Sequence, residues 1–334
     1  MTTPSQQSAL DLAIRCAWLS YVGGYTQAEI AERLGVSRVK VHRLIAAAHE
    51  AGAVKVFIEG EPAELISLED TLMKRFGLES CSVVPDATPG EGNPFANVGT
   101  AAARYLRGRL DGDRVKVLAI GWGRTLAEMA TRLPHIGRPD LKVVPVLGSV
   151  TRKMALNPYD VVHHLTDATG AEGYLLPVPL FADTPEHRGI LLAQRSVQEP
   201  YALAAKADLT VVGLGAVPPD GHSLLQELGE ISVDECRQLH RAGAEAEVVG
   251  QFLNAEGRLV DHEVNRRTLG VSLDVLRTHR LVAVAGGEEK THATLSALKS
   301  GMLNGLITDE GIARRVIALT DQPSRTEGLR HEVS

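Results

Sequence analysis

Arg38, Lys40, His42 and Arg43 crowd cations and hydrogen-bond donors into the early turns of one helical segment. Donors so placed read base edges and phosphates of duplex DNA, and a bidentate Arg–guanine contact contributes roughly 1–3 kcal/mol of discrimination. A second chemistry is written in glycine-rich turns. Gly121-Trp122-Gly123-Arg124-Thr125 follows an apolar run and precedes a helical pattern, so glycines permit close backbone approach while Arg124, the Thr125 hydroxyl and a helix N-terminus favour a phosphate. Gly148-Ser149 ends another apolar run with more donors, and Asn157, Asp160 and His163 can line a hydroxyl-rich pocket. Near the C-terminus Lys290 follows Gly286-Gly287, where it can meet a phosphate or sugar oxygen or remain a solvated lysine. Gly213-Leu214-Gly215 is the weakest of these turns, and packing alone accounts for it.

The DNA-reading donors need a scaffold, and residues 26–49 supply one. Thr26 stands at an N-cap with Glu29 three residues on, a capping box. Ile30, Ala31 and Leu34 recur at helical spacing, Gly35 makes the turn, Val36 plugs it and Ser37 caps the second helix, whose Val41, Leu44 and Ile45 share a face. This is a helix-turn-helix; its DNA-binding set is Thr26, Gln27, Ser37, Arg38, Lys40, Val41, His42 and Arg43. Leu10–Leu19 adds a third apolar helix, and the alternation from Val54 to Ile58 reads as a wing. Gly60-Glu61-Pro62 breaks the pattern before a helix over about 63–76, whose seam of Leu65, Leu68, Leu72 and Phe76 can pair with a second subunit or pack on its own domain. That helix also offers a bistable connection between the two functions.

Beyond residue 80 the runs CSVVP, VKVLAIG, LKVVPVLG, GYLLPVPLF, LTVVGLG, AEVVGQFLN, LVAVAGG and GLITDE alternate with helical segments. Unbroken Val, Ile and Leu indicate strands buried on both faces, hence a doubly wound, mostly parallel α/β sheet whose ligands sit beyond the strands' carboxyl ends. The expected organisation is a winged helix-turn-helix over 1–60, a linker helix over 61–80, an effector-binding α/β domain over 81–322 and a mobile tail over 323–334.

Composition narrows the classes. With 44% hydrophobic and 23% charged residues in 334, the chain can bury a large core. A net charge of -6 disfavours indiscriminate nucleic-acid binding, yet Arg33, Arg38, Lys40, Arg43 and Lys55 face only Glu50 among the acids of residues 33–55. Cys16, Cys81 and Cys236 are too scattered for a disulfide framework or a zinc site, and adjacent His163 and His164 diverge on a helix, so no metal and no cofactor are expected. No apolar run reaches a membrane span and MTTPSQQS lacks a signal-peptide pattern, so a cytoplasmic protein is expected. No nucleophile elbow, P-loop or readable acid/base pair is present, and no catalytic residue is assigned.

In this order TQAEIAERLGVSRVKVHRLI, GWGRTL, LGSVTR, ADLTVVGLG, GGEEK and GLITDE resemble the SorC/DeoR family of bacterial sugar-responsive transcriptional regulators across nearly the whole chain. The resemblance implies an effector domain related to sugar-phosphate isomerases and deaminases, assembly as dimers or tetramers, and a phosphorylated sugar as effector. It carries over Gly121, Gly123, Arg124 and Thr125 to one phosphate-side loop, Gly148 and Ser149 to a second, and Lys290 to the ligand-facing lysine. Where the family has Gly-Asp touching sugar hydroxyls, this chain has Ala246-Glu247, so Glu247 takes that role with a longer reach. RKMALNPYDVVHHL and PVPLFADTPEHR look most like regulators of erythritol and related polyol catabolism. Operator DNA, a sugar or polyol effector and a second copy of the chain are the expected partners. The competing reading, a sugar-phosphate isomerase or deaminase, rests on fold likeness alone.

Overall fold

The computed structural model describes residues 4–54, 63–87, 93–149 and 160–321. The chain divides into two compact units, residues 1–59 and 60–334. In the first, helices Pro4–Tyr21, Gln27–Leu34 and Arg38–Glu50 enclose Cys16, Leu19, Ile30, Val41 and Ile45. Small side chains at Ala13, Ala17 and Ala48 form a second cluster between the first and third helices. The capping box is made in full: Thr26 Oγ1 accepts from Glu29 N–H and the Glu29 carboxylate accepts from Thr26 N–H at 2.7 Å. Gly35 turns the chain at φ 65°, where a Cβ is penalised, and Ser37 Oγ accepts from Lys40 N–H at 3.2 Å. The wing lies outside the described residues from Lys55 onward, as does the tail after Asp321.

The second unit is built on ten strands: β1 (Ser80–Val84), β2 (Val117–Ile120), β3 (Lys142–Pro145), β4 (Glu172–Gly173), β5 (Leu209–Gly213), β6 (Gly215–Ala216), β7 (Ala244–Val248), β8 (Gln251–Asn254), β9 (Leu281–Ala285) and β10 (Gly305–Asp309). Seven of them form one wholly parallel sheet in the order β1-β10-β9-β5-β2-β3-β4. Both faces are covered: Leu118, Ile120, Val143, Val211, Val282 and Val284 enter one core, and Ala119, Val144, Val212 and Ala283 the other. That two-sided burial is why these strands read as unbroken apolar runs.

Two runs depart from the expected pattern. AEVVGQFLN is not one parallel strand but the antiparallel hairpin β7–β8, which with β6 makes a separate three-stranded sheet. Its two-residue turn places Val249 at φ 55° and Gly250 at φ 72°, the pair of positive values that a tight hairpin demands. A β-branched residue there disguises the turn as strand. GYLLPVPLF contributes only β4 and isolated bridges, because Ser149 pairs with Pro179 and Phe181 with Thr268 instead.

Helix Ala63–Phe76 packs on the large unit. Leu65 and Leu72 are buried in its core with Leu68 and Phe76 against them, while Arg75–Asp321 (2.7 Å) and Arg314–Glu64 (2.9 Å) pair it with helix Glu310–Asp321. From β2 the sheet continues to β3 on one side, and from β5 to β9 and β10 on the other. The strand order therefore reverses between β2 and β5, which opens a crevice beyond their carboxyl ends. Among the described residues no helix is long and apolar enough to cross a membrane.

Candidate functional site

A cavity of about 570 Å³ occupies that crevice. Its walls combine Gly121–Leu126 after β2, Gly213–Ala216 from the end of β5 through β6, Glu245 and Glu247 of β7, and Glu289 and Lys290 after β9. Small-molecule sites span roughly 300–1,000 Å³, so the space suits a metabolite and not a polymer.

The β2 turn is built for close approach. Gly121 has Leu126 Cδ1 and Val212 Cα within 3.4 Å of where a Cβ would stand, and Gly123 adopts φ 126°. Gly123, not Thr125, is the N-cap of helix Arg124–Arg132, and no side chain caps that end. Thr125 is instead buried at 2% exposure, with Lys290 Nζ donating to its Oγ1 over 3.4 Å. The Trp122 indole N–H has no hydrogen-bond partner among the described residues. Burial lowers Lys290 to about 8, against the opposing pull of Glu289.

Glu247 enters from β7, where it pairs in register with Gly215. A Cβ on Gly215 would stand 2.5 Å from Glu247 Oε2, so the glycine makes room for the carboxylate and does more than pack. The Gly250 N–H donates to Glu247 Oε1 across the hairpin turn. Burial nevertheless raises Glu247 to about 7, with the Gly250 hydrogen bond and Lys290 acting the other way. Glu245, two residues back on β7 and so on the same strand face, faces His292 at 3.5 Å. His240 places Nδ1 3.1 Å from the Val217 carbonyl on the same wall.

Of the residues assigned from sequence, Gly121, Gly123, Arg124, Thr125, Glu247 and Lys290 converge on this cavity. Gly148, Ser149 and Asp160 do not line it. Gly148 is needed because a Cβ would meet the Pro179 carbonyl at 2.1 Å, and the Ser149 backbone is engaged by Val178 and Leu180. Asp160 caps helix Val161–Thr169 by accepting from His163 N–H at 3.1 Å, and Asn157 lies outside the described residues. Phe95, Asp309, Glu245 and His240 were not expected. Asp309 is the last residue of β10 and accepts from Gly287 N–H at 2.7 Å, so an acid at a strand end was its signal; Phe95 stands in no periodic pattern.

On the first unit Ser37, Arg38, Lys40, His42 and Arg43 are exposed, and among the described residues Arg38, Lys40 and Arg43 form no salt bridge. Gln27 is half-buried and Thr26 is engaged in its cap. Val41 must be removed from the DNA-binding set: it is 0% exposed, because it shares the inward face with Ile45 one turn on.

The family model described as "Putative sugar-binding domain" matches residues 61–318. The erythritol catabolism regulatory protein EryD of Brucella abortus is 42% identical over 313 residues, covering 94% of this chain and 97% of that protein. The transcriptional regulator LsrR of an Enterobacter species is 36% identical, covering 92% and 93%. Among solved structures, the full-length sorbitol operon regulator SorC of Klebsiella pneumoniae superposes with TM-score 0.67 at 26% identity, over 92% of this chain and 99% of that one. This chain belongs to the SorC family of sugar-responsive transcriptional regulators. The regulator thus couples a DNA-binding helix-turn-helix to a sugar-binding domain, and the isomerase or deaminase reading is set aside because these relatives are regulators, not enzymes.

Native Glu247 keeps its proton up to about pH 7, whereas the unfolded carboxyl loses it near 4.5, so this group's contribution to stability falls as pH rises through that window. Glu247→Gln removes the penalty while keeping an acceptor for Gly250. Thermal unfolding should show the variant gaining on the wild type by a few degrees more at pH 8 than at pH 5; an equal difference at both would mean the carboxyl is not perturbed.

Proposed function

We propose that the effector is a small phosphorylated polyol or sugar, held in the cavity at the β2/β5 crevice, and that its binding changes operator affinity. The observation that carries this reading is the sorting of polar groups by element. Loops after β2 and β9 supply donors, namely Arg124, Thr125, Lys290 and an uncapped helix N-terminus behind Gly121 and Gly123; β7 supplies Glu245 and Glu247 as acceptors. Donors and positive charge suit a phosphate, and carboxylates suit a row of hydroxyls. The EryD relative is named for erythritol catabolism, which favours a four-carbon polyol over a ring sugar.

In the same reading Arg38, Lys40, His42 and Arg43 contact bases and phosphates, with Thr26, Gln27 and Ser37 at the helix ends beside the backbone. The DNA-binding domain ends near residue 60 and the effector domain starts with helix Ala63–Phe76. The regulator acts in the cytoplasm as a homodimer or tetramer, since helix-turn-helix units read paired half-sites. Effector and operator are linked thermodynamically: the ligand shifts DNA occupancy only by binding the DNA-competent and incompetent states unequally.

Two experiments test this. Thermal unfolding against free and phosphorylated C4 to C6 polyols and sugars should single out a phosphorylated compound, stabilising by about 2.7 kcal/mol at about a hundredfold excess over Kd. Lys290→Ala or Thr125→Ala should abolish the shift, and a shift given equally by the free polyol would contradict the phosphate assignment. For DNA, Arg38→Ala and Arg43→Ala should each cost operator affinity, by roughly 1–3 kcal/mol where the lost contact is to a base. A residue that touches phosphate should instead lower the salt dependence by about one unit of slope. Unchanged operator binding in both variants would sink the docking model.

A further inference from the structure

Phe95 is 9% exposed and stands at the N-cap of helix Ala96–Leu110, outside the walls of the cavity. Both cavity cations nevertheless gather on it. The Arg124 guanidinium carbon lies 5.4 Å from its ring centroid and Lys290 Nζ lies 5.3 Å from the same centroid. These are cation–π distances, at which the ring's negative face attracts positive charge without cancelling it.

Among the described residues neither cation forms a salt bridge, and Lys290 donates only its long hydrogen bond to Thr125. Neighbouring acids act on Lys290 through space, Glu289 most, but among the described residues none is in salt-bridge contact with either cation. Glu128 holds Arg132 and Asn93, Glu288 holds Arg315, Asp309 accepts from Gly287 and Ile312 N–H, and Glu247 accepts from Gly250; Glu289 is exposed to solvent. An aromatic ring thus stands where an ion-pair partner is usual.

The Phe95 backbone is tied through Asn93 to the helix that carries Arg124. Asn93 Oδ1 accepts from Phe95 N–H at 3.0 Å, and Asn93 Nδ2 donates to Glu128 Oε2 at 2.6 Å. One turn into the Phe95 helix, a Cβ on Gly99 would stand 2.6 Å from Glu128 Cγ, so the two helices approach as closely as only glycine allows. Gly99 and Asn93 together set where the ring meets the cations.

We propose that Phe95 is a positioning residue for effector recognition: its ring gathers Arg124 and Lys290 at the cavity without placing a carboxylate in contact with either, which leaves both open to the effector's phosphate. The proposal rests on the phosphorylated-effector reading above and adds a residue that touches no ligand. A carboxylate in its place would compete with the phosphate, and an aliphatic side chain would fill the volume without orienting either cation.

The test uses the full-length chain as wild type, Phe95→Leu and Phe95→Trp, each checked for folding by circular dichroism. Calorimetry with erythritol 4-phosphate, inorganic phosphate and erythritol gives the first readout. Phe95→Leu should lose about tenfold in affinity for both phosphate compounds, Phe95→Trp should recover most of it, and any erythritol binding should be unmoved. A second readout needs no ligand. In protein carrying 13Cε-labelled lysine, the signal missing from Lys290→Arg should be shifted upfield by the ring in wild type and Phe95→Trp, and should lose that shift in Phe95→Leu. Folded Phe95→Leu with phosphate affinity within about twofold of wild type would overturn the proposal, as would an unmoved Lys290 signal. If wild type ignores every phosphate compound yet the Lys290 signal moves as expected, the phosphorylated-effector reading fails and the ring's role in phosphate recognition falls with it, while its contact with Lys290 stands.

Discussion

Lys290 is a half-buried ammonium with no carboxylate in contact among the described residues, and a charge partly removed from water without an ion-pair partner costs free energy. Much of the large domain can be understood as what holds that unfavourable group in place. The parallel sheet brings the carboxyl ends of β2, β5 and β9 to one side, and the reversal of strand order opens the crevice there. Gly121 and Gly123 thin the wall, Gly287 takes φ 97° to turn the chain toward Lys290, and Asp309 fixes that turn through its N–H. Cores on both faces of the sheet supply the stability from which such a site can be sustained.

The hairpin β7–β8 adds the opposite chemistry. Its Val249-Gly250 turn donates the N–H that Glu247 needs, and Gly215 clears the space the longer side chain requires. The missing Cβ at Gly215 thus accommodates the Glu247 carboxylate opposite. Glu247 and Lys290 oppose each other's burial, each drawing the other toward its charged form. The cavity can therefore meet a ligand that carries both an anion and hydroxyls.

The parts legible in the sequence were those governed by local rules. Thr26, Glu29, Gly35 and Ser37 spell out the helix-turn-helix because capping and the left-handed turn act over three or four residues. The glycine turns after β2 and β9 were equally readable. What failed depended on non-local pairing. Val249 at a positive φ hid the hairpin, Gly148 serves contact with Pro179 far along the chain, and Val41 belongs to the core although it sits among exposed basic neighbours. Phe95 could not be found, since only the folded chain brings residues 95, 124 and 290 together.

The central claim is that one cavity, with donors after β2 and β9 and acceptors on β7, controls the hold of helix Arg38–Glu50 on DNA. Its most direct test is operator affinity measured by fluorescence anisotropy at fixed salt, with and without saturating erythritol 4-phosphate, in wild type and Lys290→Ala. Linkage predicts a change of roughly 5- to 150-fold in wild type and none in the variant. Equal operator affinity with and without a ligand shown to occupy the cavity would contradict it.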